Sequence, residues 1–119
     1  MRAIKFRAWE TGEETMHSNV QVGVYQDPDE WIEFHYILEL ERFKVMQNTG
    51  LKDQNGAEIY EGDICKTLFG VKGEVVFDCG SFKLKNKQDL YSIGKLPELI
   101  GNIYENPELL SNHDTSKTQ

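Results

Sequence analysis

Hydrophobic and polar positions alternate over residues 2–9: Ile4, Phe6 and Ala8 face one way, Lys5, Arg7 and Trp9 the other. A two-residue period predicts a strand buried on one face. Thr11-Gly12-Glu13-Glu14 reads as a turn, with a second strand beginning near Thr15-Met16. Val20, Val22 and Val24 alternate again and predict extended chain up to Asp27-Pro28. Residues 27–46 carry two conflicting signals. Asp27, Pro28 and Glu30 have the order of a helix start, and Trp31, Phe34 and Leu38 would share one helical face. Ile32, Phe34, Tyr36, Leu38 and Leu40 are instead all apolar at period two, with Glu33, His35, Glu39 and Glu41 mostly between them. The longer run of period-two matches favours a long strand, with extended chain continuing through Arg42–Met46.

After residue 47 the pattern changes to short apolar runs punctuated by glycine. Asn55-Gly56 and Glu61-Gly62-Asp63 predict tight turns, since asparagine and glycine tolerate positive φ. Strands follow over 64–69, 74–78 and 81–85, joined by turns at 70–73 and at Gly80. Leu99–Tyr104 reads as a last strand, with Gly101 at a bulge or a close backbone approach. Asn106-Pro107-Glu108 opens one helical turn through Leu110, and 111–119 reads as a frayed tail. Strands of this length joined by glycine turns predict a small barrel or curled sheet. The chain therefore divides into a β-rich subdomain over 1–47, a barrel subdomain over 48–110 and a tail over 111–119.

Composition narrows the classes. Hydrophobic residues make up 39% of the 119, too many for a wholly disordered chain. No apolar run approaches the roughly 18 residues of a membrane span, and charges interrupt the N-terminal apolar residues, so a cytoplasmic address is expected. Thirteen basic residues against twenty acidic ones give a charge of −7, which opposes non-specific binding to phosphate backbones. Asp27, Asp29, Glu30, Glu33, Glu39 and Glu41 fall together with no base between Asp27 and Glu41. That stretch reads either as a solvated face or as a docking surface for a basic protein. Cys65 and Cys79 have neither a zinc nor a redox spacing. Pairing across the 70–73 turn would set them opposite each other if the register allowed.

Three blocks carry a resemblance: Ile4–Trp9; Met46-Gln47-Asn48-Thr49-Gly50-Leu51-Lys52-Asp53 continuing to Ile64; and Ile100–Leu110. In this order and spacing the chain resembles the YopX-like protein family of bacteriophages and prophages. The resemblance implies a mainly β fold, with an N-terminal α+β part that mediates oligomerisation and a C-terminal SH3-like barrel. It supplies no catalytic residues, because the family's biochemical role is uncharacterised.

The candidate chemistry is sparse. Asp53, Asn55 and Glu58 have oxygen ligands, but a calcium loop starting at Asp53 would put Ala57, Glu58 and Ile64 at its fifth, sixth and twelfth positions, so the register fails. Glu61 and Asp63, with Glu58, could hold a divalent metal for a hydrolase or nuclease, or simply cap a turn. His17, His35 and His113 lack a second ligand at metal spacing, and no phosphate loop or nucleophile elbow is present. Lys83, Lys85 and Lys87 alternate with Phe82, Leu84 and Asn86. This stripe reads as a guarded edge strand or as a contact for single-stranded nucleic acid. Trp9, Trp31, Phe34 and Tyr36 load the short front half with aromatic surface that a second copy of the chain would cover. The expectation is a non-enzymatic homo-oligomer without metal or cofactor, binding a protein through Asp29, Glu30, Glu33, Glu39 and Glu41. Nucleic-acid binding and metal-dependent hydrolysis are the alternatives.

Overall fold

The computed structural model describes residues 4–27, 30–95 and 97–110. Asp29 and the predicted tail lie outside them. The protein is mainly β, and it falls into two compact units that divide between Asn48 and Thr49.

In the first unit, β1 (Phe6–Glu10) pairs antiparallel with β2 (Thr15–His17) and with the start of β5 (Phe43–Lys52). A second ladder joins β3 (Val24–Asp27) to β4 (Glu30–Ile32). Between them lie a 3₁₀ helix at Val20–Val22 and α1 (Phe34–Glu39). The core consists of Ala8, Val20, Val24, Ile32, Ile37 and Phe43.

Two expectations fail here. The predicted strand through Val20–Val24 is broken because Asn19 takes a left-handed conformation (φ 54°) and Gly23 sits at φ 102°, so Val20 enters the core while Val22 stays exposed. The predicted strand over 32–40 is short strand and then helix. Its period-two face would have buried Tyr36 and Leu38, which are 54% and 57% exposed. The residue that is buried is Ile37, with Phe34 and Leu40 packed beside it at three-residue steps. The helix-start signature at Asp27-Pro28 also misplaces the start, because Glu33 is the N-cap residue.

In the second unit, the remainder of β5 turns into β6 (Glu58–Tyr60). There the Thr49 hydroxyl donates to the Ile59 carbonyl at 2.8 Å. A five-stranded antiparallel sheet follows: β7 (Asp63–Lys66), β8 (Lys72–Asp78), β9 (Ser81–Asn86), β10 (Asp89–Tyr91) and β11 (Glu98–Asn102). Its order is β10-β9-β8-β7-β11. Ile59, Cys65, Val75, Leu84 and Ile93 form the core. A 3₁₀ helix at Pro107–Leu110 closes the described chain. Gly101 lies at a register shift between β11 and β7, and a Cβ there would come within 2.6 Å of the Asn106 carboxamide oxygen.

The β7–β8 register sets Cys65 opposite Gly73, so the suggested Cys65–Cys79 pairing does not occur and both thiols are free. Cys65 is buried, and burial, with the Asp63 and Asp53 charges adding, pushes its thiol up to about 12. It is a core residue without nucleophilic character at neutral pH.

Asp53 fixes the Asn55-Gly56 turn. Its carboxylate accepts from the backbone N–H groups of Asn55 (2.8 Å) and Ala57 (2.9 Å), and from Leu99 of β11 (3.3 Å). The Ala57 bond is the main cause holding this carboxyl below its ordinary value of 3.8, and burial pulls the other way. A carboxyl lowered in the folded state adds stability above the unfolded value and loses it as pH falls through the folded one. Asp53→Asn is therefore expected to flatten the acid limb of a stability–pH curve below 3.8. Urea melts across that range would check it, and an unchanged slope would count against the assignment.

Candidate functional site

The sequence singled out aromatic, acidic and basic groups, and the structure treats them differently. Of the four aromatics, Phe34 turns inward and packs on Phe6 with ring centroids 5.1 Å apart. Trp9, in β1 opposite Met16 and Lys44, is half-buried. Trp31 and Tyr36 stay exposed, at 46% and 54%.

Trp31 is joined by an aromatic that sequence reasoning passed over. Tyr25 lies opposite it in the β3–β4 ladder, and the rings meet edge to face at 4.7 Å. Such pairs add about 0.5–1.5 kcal/mol beyond their burial, so the indole is held while its outer face remains open. Its inner face lies on Gly23, where a Cβ would come within 2.2 Å of the ring. Trp31, Tyr36, Ile32 and Leu40 line an open groove of about 400 Å³ whose rim carries Glu30 and Arg42. Behind the rim, Arg42 Nε lies 3.6 Å from the Glu10 carboxylate, which is buried and also meets His17 Nε2 at 2.9 Å. The arrangement offers an apolar floor, an aromatic wall and one charge of each sign. It suits contact with another macromolecule.

The acids Glu30, Glu33, Glu39 and Glu41 are all exposed, around β4 and α1. Glu33 lies 3.8 Å from His35, itself on the surface.

The lysine stripe is dispersed. β9 is an interior strand of its sheet, so the guarded-edge explanation does not hold. Lys83 donates to the Asp78 carbonyl and lies 3.9 Å from its carboxylate; Lys85 is in register with Glu74; Lys87 has left the strand at φ 59°. Burial raises the Glu74 carboxyl, and the Lys85 charge opposes that rise.

Glu61 and Asp63 are not a matched pair. Asp63 is 2% exposed, and its carboxylate accepts the Tyr60 N–H at 2.7 Å, bracing the β6–β7 turn, whereas Glu61 is half-buried in that turn. Among the described residues no three His, Cys, Asp or Glu side chains converge as a metal site, and no helix is long and apolar enough to cross a membrane.

Known proteins bear on the chain as follows. No curated protein matches it. The crystal structure of protein EF1440 from Enterococcus faecalis is similar, with a TM-score of 0.63 and 29% identity; the match covers 93% of this chain and 100% of that one. The family model described as YopX protein matches residues 5–111. With that match spanning nearly all of the sequence, the chain belongs to the YopX protein family.

Proposed function

We propose that this chain is a non-enzymatic phage or prophage accessory protein of the host cytoplasm that assembles with copies of itself and binds another protein. The observation carrying this reading is the Trp31 groove. An indole braced on one side by Gly23 and on its edge by Tyr25 presents apolar surface without having to be ordered on binding. The groove is also self-complementary in charge. Glu30 and Arg42 share its rim, so a two-fold-related copy lays each Arg42 on the other's Glu30. A guanidinium has donors enough to keep Glu10 as well. Glu33, Glu39 and Glu41 then remain as the acidic surface for a basic protein. Lys83 and Lys85 have the acids Asp78 and Glu74 as neighbours and Lys87 leaves the strand, which favours this over a nucleic-acid contact. The strand order of the second unit, in which β11 returns beside β7, supports an SH3-like barrel there.

Sedimentation tests the reading. The wild-type chain is expected to sediment as an oligomer. Tyr36→Ser, on the exposed side of α1, is expected to weaken association at least tenfold with the melting temperature unchanged at dilutions where both chains are monomeric, and Glu30→Arg to weaken it as well. A wild-type chain that stays monomeric at high concentration overturns the proposal.

A further inference from the structure

A second groove lies wholly in the second unit. Leu68, Phe69 and Val71 of the β7–β8 turn form one wall; Tyr91, Ile93 and Lys95, in and after β10, form the other; the enclosed volume is about 270 Å³. Phe69 is 94% exposed, an unusual position for a phenyl ring. The turn holding it is not loose. The Thr67 hydroxyl accepts the N–H groups of Phe69 (3.2 Å) and Val71 (3.1 Å), the Thr67 N–H donates to the Val71 carbonyl at 2.8 Å, and Gly70 supplies the positive φ of 88°. The ring is thus displayed by a braced backbone, so the turn itself need not be ordered at the moment of binding.

The charge of the groove is opposite to that of the chain. The protein carries −7, yet among the described residues the groove is lined by no carboxylate, and its one charged group is Lys95. From this contrast we infer that the groove takes a peptide segment of a partner protein that seats a bulky apolar side chain between Phe69 and Tyr91 and a carboxylate at Lys95. β10, which ends the sheet and leads into the far wall, gives such a segment a strand edge to run beside. This site lies in the other unit from the Trp31 groove and does not depend on the self-association proposed there.

Three probes sharing one ring separate the elements of the inference: N-acetylphenylalanine (an anion), N-acetylphenylalanine amide (neutral) and phenylalanine amide (a cation). Each is titrated into the isotopically labelled full chain, with amide shifts followed by nuclear magnetic resonance. Shifts are expected at residues 67–71 and 91–95, strongest for the anion and weakest for the cation. Each step is about threefold in affinity, the scale of an exposed ion pair. Lys95→Glu should invert the order. Phe69→Ser should abolish the shifts with no loss of melting temperature, since the ring is almost wholly exposed. Equal responses to anion and cation, or no response at these residues, overturn the inference. So does a Phe69→Ser chain that sediments differently from wild type, because a second copy would then be the occupant.

Discussion

Replacing Gly23 with alanine is expected to destabilise the first unit by about 2–6 kcal/mol and to remove the Trp31 groove with it. Two independent costs add. Gly23 has φ 102° and ψ 173°, a region open to glycine and essentially closed to other residues, worth about 1–3 kcal/mol. The added methyl would also lie 2.2 and 2.5 Å from the Trp31 ring and 2.9 Å from the Ile32 carbonyl oxygen. Overpacking of this kind costs about 1–3 kcal/mol, and here one neighbour is backbone, which cannot rotate away. The indole must move, losing its edge-to-face contact with Tyr25. In a Trp9→Phe background, the fluorescence of Trp31 alone should shift to the red. Urea melts should give the stability loss, and sedimentation should show weaker association than in the parent. A Gly23→Ala chain with wild-type stability and an unshifted indole would contradict the geometry from which the groove is argued.

The same glycine shows where the sequence could and could not be read. Val20, Val22 and Val24 have the spacing of a strand, and that spacing outweighed the two residues flanking them, Asn19 and Gly23, which are of the types that tolerate positive φ and here adopt it, winding Val20–Val22 into a 3₁₀ turn. Tyr25 could not be matched to Trp31 before the β3–β4 register was known. The Ile32–Leu40 run misled because a six-residue helix needs only one buried residue, Ile37, and the pattern around it happened to alternate. Tight turns were more legible. Gly56 and Gly62 take positive φ in their turns while Asn55 does not, and Asp53 is a turn residue by its own hydrogen bonds. β10 went unnoticed because Asp89, Leu90 and Tyr91 are all exposed; pairing with β9 makes it a strand, and no alternation marks it. Cys65 was set opposite the wrong residue for a related reason. The Thr67-centred turn brings β8 in at Lys72, and Gly73 fits opposite Cys65 because the Leu84 Cβ and the Lys85 carbonyl oxygen would lie only 3.0 Å from any Cβ there. The aromatic half of the groove was thus visible as residue types, while its geometry depended on the β3–β4 register that sets Tyr25 against Trp31.

Removing the Asp63 carboxylate separates the docking reading from a hydrolytic one. Asp63→Ala is expected to cost about 2–4 kcal/mol. A charged acceptor on a backbone N–H contributes roughly 1.5–3 kcal/mol, and deleting it from a site only 2% exposed also leaves the Tyr60 N–H without that acceptor. The β6–β7 turn it braces is tied into the sheet on both sides: the Gly62 N–H donates to the Val75 carbonyl at 2.9 Å, and the Gly62 carbonyl accepts the Ile103 N–H at 2.9 Å. Loosening that turn should therefore lower the cooperative melt of the second unit. Asp63→Asn keeps an oxygen for the Tyr60 N–H and should lose less. Glu61→Ala, at a half-buried turn position, should lose under about 1 kcal/mol. Calorimetric titration with magnesium or manganese should be the same for all three variants and the wild type. A catalytic or metal-holding pair gives the reverse pattern: wild-type binds a divalent ion, Glu61→Ala and Asp63→Asn lose it, and the melting temperatures of both variants stay level or rise, since two carboxylates held together without their ion repel each other. Stability and metal affinity thus move in opposite directions under the two readings.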